Sequence, residues 1–342
     1  MKKILVLLLL AAIVAPAFAD DAIMLPQSVW RVRLIPSATF QSQIFDEDGN
    51  REALEDSYYW KSAQIYNLSF ALEYGVNDWI TAAAQWTPGW RFASSFGDAS
   101  DPTAPLGDND KVSSTGLNDL FLGAKFQIVG EQAPVPNDMH RFAAATGMKL
   151  PLSTYDAEAE AEAYLDGDEY QLARVDKDAY GFGYRLYYDY IVNSNFFVNL
   201  YNEFIYYAPR DLDVWEPAAV TPDPNDPTTW SVAAGDDTVE HEYGYDLTVE
   251  MEPQYSTMIG SGLELGASLP ITFTSSPETK VDGEGLDNES YTLSLTPSVN
   301  LFFQSAPWPI DLELTYSTPI VGKNDFVSNT VALQIKNYLK FW

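Results

Sequence analysis

Two histidines, 49 carboxylates and no cysteine set the chemistry open to this 342-residue chain. A serine nucleophile needs an imidazole base within hydrogen-bond reach. His140 is followed by Arg141 and Phe142, and His241 by Glu242 and Tyr243, so neither opens a His-x-Ser pair. An Asp-x-His arrangement fails as well, because Val239 stands two residues before His241. The absence of cysteine removes thiolate chemistry and disulfides. Both histidines read as turn or strand-end residues, and an enzyme is not expected.

The carboxylates offer hard oxygen ligands of the kind Ca²⁺ takes. Asp46-Glu47-Asp48-Gly49-Asn50 and Asp166-Gly167-Asp168-Glu169 are the two densest runs. The helix-loop-helix calcium pattern is not met, since Gly49 is the fourth residue of its run rather than the sixth and Ser57 occupies the twelfth. Solvated acidic loops, with Ca²⁺ or another divalent ion bridging them to lipopolysaccharide as the lesser alternative, are the expectation, and no resident cofactor is expected. Without Lys2 and Lys3 the chain has 17 basic and 49 acidic residues, a formal charge of −32. That balance excludes nucleic acid as a partner.

A more telling set of charges lies on alternating segments. Arg31, Arg33, Lys125, Arg141, Arg185 and Lys336 share the polar faces of strands one, four to six, and twelve. Glu203, Glu250, Glu252, Glu264, Asp311 and Glu313 share those of strands seven to eleven. Turned inward in a closed barrel, they would form two opposed arcs that set a field across a wet lumen. The same residues could instead pair and fill the interior, and the sequence leaves the two readings level.

What must position these residues is a set of about twelve alternating segments, each of roughly nine to eleven residues or a little longer, as transmembrane β-strands require. The first runs over about 28–44, with Trp30, Val32 and Leu34 on one face and Arg31 and Arg33 on the other. The fourth has Leu120, Leu122, Ala124, Phe126 and Ile128 opposed by Asp119, Phe121, Gly123, Lys125 and Gln127. The tenth sets Leu293, Leu295, Val299 and Leu301 against Thr292, Ser294, Thr296 and Ser298, with Pro297 requiring a bulge or a ladder position that needs no N–H. Connections alternate between short and long, which predicts six long loops outside and five short periplasmic turns, the turn after strand eight falling over about 253–258. Because no strand edge can face lipid, the last strand must pair with the first.

Residues 1–19 carry Lys2 and Lys3, the apolar run Ile4–Val14 and the small-x-small site Ala17-Phe18-Ala19, which predicts a cleaved export signal. Residues 20–342 then form one domain: an all-β, antiparallel, up-and-down barrel in the outer membrane of a Gram-negative cell. Aromatics make up 14% of the chain, with 21 Tyr and 9 Trp, a content suited to girdles at two interfaces rather than to disorder.

Ser114-Thr115-Gly116-Leu117-Asn118-Asp119-Leu120-Phe121-Leu122-Gly123-Ala124-Lys125-Phe126 and Ala145-Thr146-Gly147-Met148-Lys149-Leu150-Pro151-Leu152-Ser153 resemble the transporter-like outer-membrane barrels named for the phenol meta-cleavage pathway. Tyr74-Gly75-Val76-Asn77-Asp78 looks like that group's hairpin turn, and the last residues, Phe341-Trp342, are similar to the closing-strand signal read by the barrel insertion machinery. The resemblance implies transport of hydrophobic solutes, for which Trp90, Tyr164, Trp215 and Trp230 in the long loops could line a surface pocket. The fatty-acid transporters are more distant relatives in pattern. They carry an N-terminal hatch, whereas only Asp20–Ser28 precede the first strand here, so no plug is expected. Three functions stand open: a passive channel for small solutes, a hydrophobic-solute transporter, and a structural or surface-interaction protein with a closed lumen.

Overall fold

The computed structural model describes residues 21–54, 60–87, 89–96, 111–116, 119–153, 155–156, 159, 177–213, 221–223, 226–231, 238–306 and 308–340. Twelve strands run up and down in sequence order. They are β1 (Val29–Phe45), β2 (Trp60–Asn77), β3 (Ile80–Trp86, resuming as Gly89–Phe96), β4 (Lys111–Gly116, resuming as Leu120–Gly130), β5 (His140–Leu150) and β6 (Gly181–Asn193). The second half comprises β7 (Phe196–Tyr207), β8 (Tyr245–Ile259), β9 (Leu263–Ser268 and Ile271–Ser276), β10 (Ser290–Leu295 and Ser298–Phe303), β11 (Ile310–Lys323) and β12 (Asp325–Lys340). β12 pairs back on β1 from Val29↔Lys340 to Phe45↔Asp325, with a bulge between Gln41 and Ile44. The sheet therefore has no edge.

The faces are inverted relative to a soluble protein. On β1 the buried positions include Arg31, Arg33, Ser37, Thr39 and Gln41, while Val32 and Phe40 are exposed. The same holds on β4, where Leu122, Phe126 and Ile128 face out and Lys125 and Gln127 are buried. Apolar side chains exposed along most of the strands would be costly in water. Against acyl chains they are in their proper solvent, and the polar row between them needs an interior.

Three expectations need correction. The connection between β11 and β12 is Asn324 alone, at φ 46°, not a sixth long loop. Its length was misjudged because both strands extend well past their apolar rows. The segment 253–258 lies inside β8, and the turn falls at Gly260–Gly262, where Gly260 (φ 68°) and Gly262 (φ 105°) take up left-handed conformations. Finally, the N-terminal stretch is not a bare lead-in but folds into the barrel, as described below.

Prolines mark a line across β8–β10. Pro253 lies within β8, Pro270 divides β9 and Pro297 divides β10. Each proline lacks a ladder donor, so the chain steps over it with one bond: Leu269 N to Pro253 O (3.2 Å), Thr296 N to Pro270 O (2.9 Å) and Tyr316 N to Pro297 O (3.1 Å). Beyond the outer rim, short strands from two loops, Arg210–Asp213 with Thr238–Glu242 and Lys280–Val281 with Glu284–Gly285, join into a small separate sheet.

Candidate functional site: the barrel lumen

Strand alternation carries the charged row inward, and the structure shows what each member meets. Arg31 and Arg33 of β1 both bind Glu73 of β2: Arg31 Nη2 and Arg33 Nη2 each lie 2.8 Å from Glu73 Oε1, and Arg33 Nε 3.1 Å from Oε2. Arg185 of β6 forms an ion pair with Glu203 of β7, donates to Gln85 Oε1 at 2.9 Å, and lies over the Phe121 ring at 4.1 Å. Lys336 of β12 reaches Glu313 Oε2 (3.1 Å) and Asp311 Oδ2 (3.4 Å) on β11. Arg141 of β5 stands 3.6 Å from Asp189 of β6. Glu264 accepts from Gln304 Nε2 at 2.9 Å near the turn end of β9. These ion pairs link neighbouring strands, and Arg185 reaches further, from β6 to Gln85 on β3.

Glu73 and Asp189 complete two of these pairs although the sequence reading had not singled them out. The signal was present: Glu73 lies between the outward Leu72 and Tyr74, and Asp189 shares the inward parity of Arg185. Glu250 accepts from the Thr272 hydroxyl at 2.5 Å, and Glu252 lies two residues further along β8. Neither has a Lys or Arg within 4 Å among the described residues.

Residues 21–27 occupy the lumen at the end where the chain termini lie. Ala22 N donates to Asp189 Oδ1 at 3.1 Å, Gln127 Nε2 donates to Ala22 O at 2.7 Å, and Lys125 Nζ donates to Asp21 O at 3.0 Å. Leu25 N donates to Thr81 Oγ1 at 3.2 Å. The entry is tight at Gly75, where a Cβ would stand 2.2 Å from Pro26 O, so only glycine lets the segment pass. The short lead-in therefore enters the lumen, which its length argued against. Alternation cannot reveal it, because residues 21–27 contribute backbone groups rather than a patterned face.

The remaining candidates fall elsewhere. Trp90 is on the outer half of β3 and Trp230 on a short outer strand, Asp226–Ser231, opposite Pro222; the side chains of both are outside the described residues. Tyr164, Trp215 and the run Asp166–Glu169 are outside them altogether. Asp46 spends its oxygens on its own loop, accepting from Asp48 N (2.9 Å), Asn50 N (2.7 Å) and Asn50 Nδ2 (3.0 Å). Among the described residues no three His, Cys, Asp or Glu side chains are grouped to hold a metal. His140 sits at the start of β5 with Nδ1 2.8 Å from the Tyr188 hydroxyl, stacked between Tyr188 and Tyr190.

Closure, inverted faces and a polar interior together decide the class. The chain is an outer-membrane β-barrel. No protein-family model and no curated protein matches it. Among solved structures, the barrel is similar to an outer membrane channel from Pseudomonas putida F1, with a TM-score of 0.66 at 16% identity, covering 94% of this chain and 99% of that one. The NanC porin (TM-score 0.38, 9% identity, 90% of this chain and 100% of that chain) and the beta domain of the Bordetella autotransporter BrkA (0.42, 9%, 92% and 99%) align less closely. At these identities the likeness is one of fold.

Proposed function

We propose that the barrel is a passive outer-membrane channel for small solutes. The observation that carries this reading is the direction of the ion pairs. Eight strands make a barrel that side chains fill and sixteen leave an aqueous bore, so twelve can do either. Arg31 and Arg33 with Glu73, and Lys336 with Asp311 and Glu313, join adjacent strands, which keeps their bulk against the wall rather than across the axis. The resemblance of the fourth and fifth strands to the phenol meta-cleavage barrels supports including hydrophobic or aromatic solutes among those carried. A closed structural barrel is the second reading, favoured by the N-terminal segment bonded to Asp189 and Thr81.

Single-channel recording in planar bilayers tests both. Discrete conductance steps are expected, followed by liposome swelling in solutes of graded size. A silent membrane at high protein loading would remove the channel and leave the closed barrel. For hydrophobic solutes, uptake unchanged in a deletion strain would rule out that class.

A further inference from the structure

Most lumen carboxylates are matched by a cation: Glu73 by Arg31 and Arg33, Glu203 by Arg185, and Asp311 and Glu313 by Lys336. Glu250 and Glu252 have none among the described residues. They stand two residues apart on β8, so both project to the same side of the wall. Their exposures are only 1% and 5%. Glu250 accepts from Thr272 on Oε2, but Oε1 meets no donor, and Glu252 Oε2 meets none either.

A third atom independently marks the same spot. Asn199 of β7 is the ladder partner of Glu252, so the two side chains are neighbours on one face. Asn199 is fully buried, and its Nδ2 donates to Asp189 Oδ1 at 2.8 Å. That bond fixes the amide: turning it would set carbonyl oxygen against carboxylate. Asn199 Oδ1 is therefore held on the other side, and it too lacks a donor. Three buried acceptor oxygens, two of them on carboxylates, belong to neighbouring positions of β7 and β8 and have no hydrogen-bond donor. Leaving such groups unmatched is costly, so a donor or a positive charge belongs there.

We propose that Glu250, Glu252 and Asn199 form a binding station for a monovalent cation, an alkali-metal or ammonium ion passing through the lumen. The class follows from the ligands. Carboxylate and amide oxygens suit a hard cation. Rings of acidic side chains select cations in channels by the same means. The station rests on the channel reading for its role and gives that reading a selectivity determinant within the wall.

The test is the reversal potential of single barrels under a KCl gradient, for wild type and for the E250Q/E252Q double variant. Glutamine keeps the shape, and the heat-modifiable mobility of the folded barrel verifies folding. Wild type is expected to prefer K⁺ over Cl⁻, and the double variant to lose that preference several-fold. Glu131→Gln, on the exposed turn between β4 and β5, is expected to leave it unchanged. An unchanged permeability ratio in the double variant overturns the station and leaves the channel intact; that result fits a proton resident between Glu252 and Asn199. Should the barrel be silent, the channel reading fails on its own. Infrared difference spectra of the detergent-solubilised barrel, taken on exchanging choline for K⁺, then decide the station. A carboxylate band present in wild type and absent in the double variant supports it, and no band in wild type overturns it.

Discussion

Replacing Glu73 with glutamine is expected to destabilise the barrel far more than removing either arginine it serves. Glu73 is 3% exposed and holds Arg31 (8%) and Arg33 (2%) at once. Taking away Arg31 leaves one carboxylate facing one guanidinium, still compensated. Taking away the Glu73 charge removes the carboxylate that two buried, adjacent guanidiniums share. Breaking a buried pair to strand one charge costs about 3–5 kcal/mol, and E73Q belongs at that level or above. For R31Q and R33Q the loss is closer to that of a charge-assisted hydrogen bond, about 1.5–3 kcal/mol. Reversible urea unfolding in phospholipid vesicles, followed by tryptophan fluorescence, measures all three. If E73Q costs less than either arginine variant, or about as little as a surface change, the charge-stranding argument is wrong. The triple variant R31M/E73L/R33M supplies the complement: it is expected to recover much of the E73Q loss, because the three mutually paired charges leave together.

Three further outcomes follow from other parts of the molecule. Gly147→Ala would bring a methyl group to 2.3 Å from Phe121 Cζ and 2.6 Å from Leu122 O; a loss of about 1–3 kcal/mol is expected, as for other overpacked sites, with F121A in the same barrel restoring only the side-chain share. Unfolding curves of the single and double variants check this. Deleting residues 21–27 is expected to raise single-channel conductance, since the segment lies within the lumen; an unchanged conductance would mean that the permeation path avoids it. At the outer rim, the Asn50 side-chain amide donates to Asp46 and holds its carboxyl below the usual carboxylate range. A group depressed in this way supports the folded loop above its unfolded value and loses that contribution as pH falls through the folded one. Asn50→Ala should therefore raise the Asp46 titration seen by carboxyl NMR, and an unmoved titration refutes the assignment.

The wall was legible in the sequence because a transmembrane strand has period two and one solvent on each side. Leu122, Phe126 and Ile128 announce the lipid face, and Lys125 and Gln127 the interior, with no help from distant residues. Alternation also carried Arg31, Arg33 and Lys336 to the lumen. What it could not supply was partnership. Whether Arg185 meets Glu203 beside it or an acid across the bore depends on strand register and barrel radius, neither of which a single strand encodes. The turn at Gly260–Gly262 was displaced because Pro253 reads as a strand breaker, although its own carbonyl still accepts from Leu269 N and it stays within β8. The N-terminal segment was lost for a different reason. Its bonds run from its own backbone to Asp189 and Thr81, so almost nothing in residues 21–27 betrays the destination.

Val29 meets Lys340 and Phe45 meets Asp325, so the seam that seals the cylinder joins the two most distant strands of the chain. Such a latch can engage only after every intervening hairpin is in register, which makes assembly slow and all-or-none. Until then both margins are raw, each a template for the wrong neighbour. The polypeptide must therefore travel unfolded and be sheltered until the bilayer receives it. A lesion in β12 would then be felt first as failed biogenesis, long before any change in what the finished pore admits.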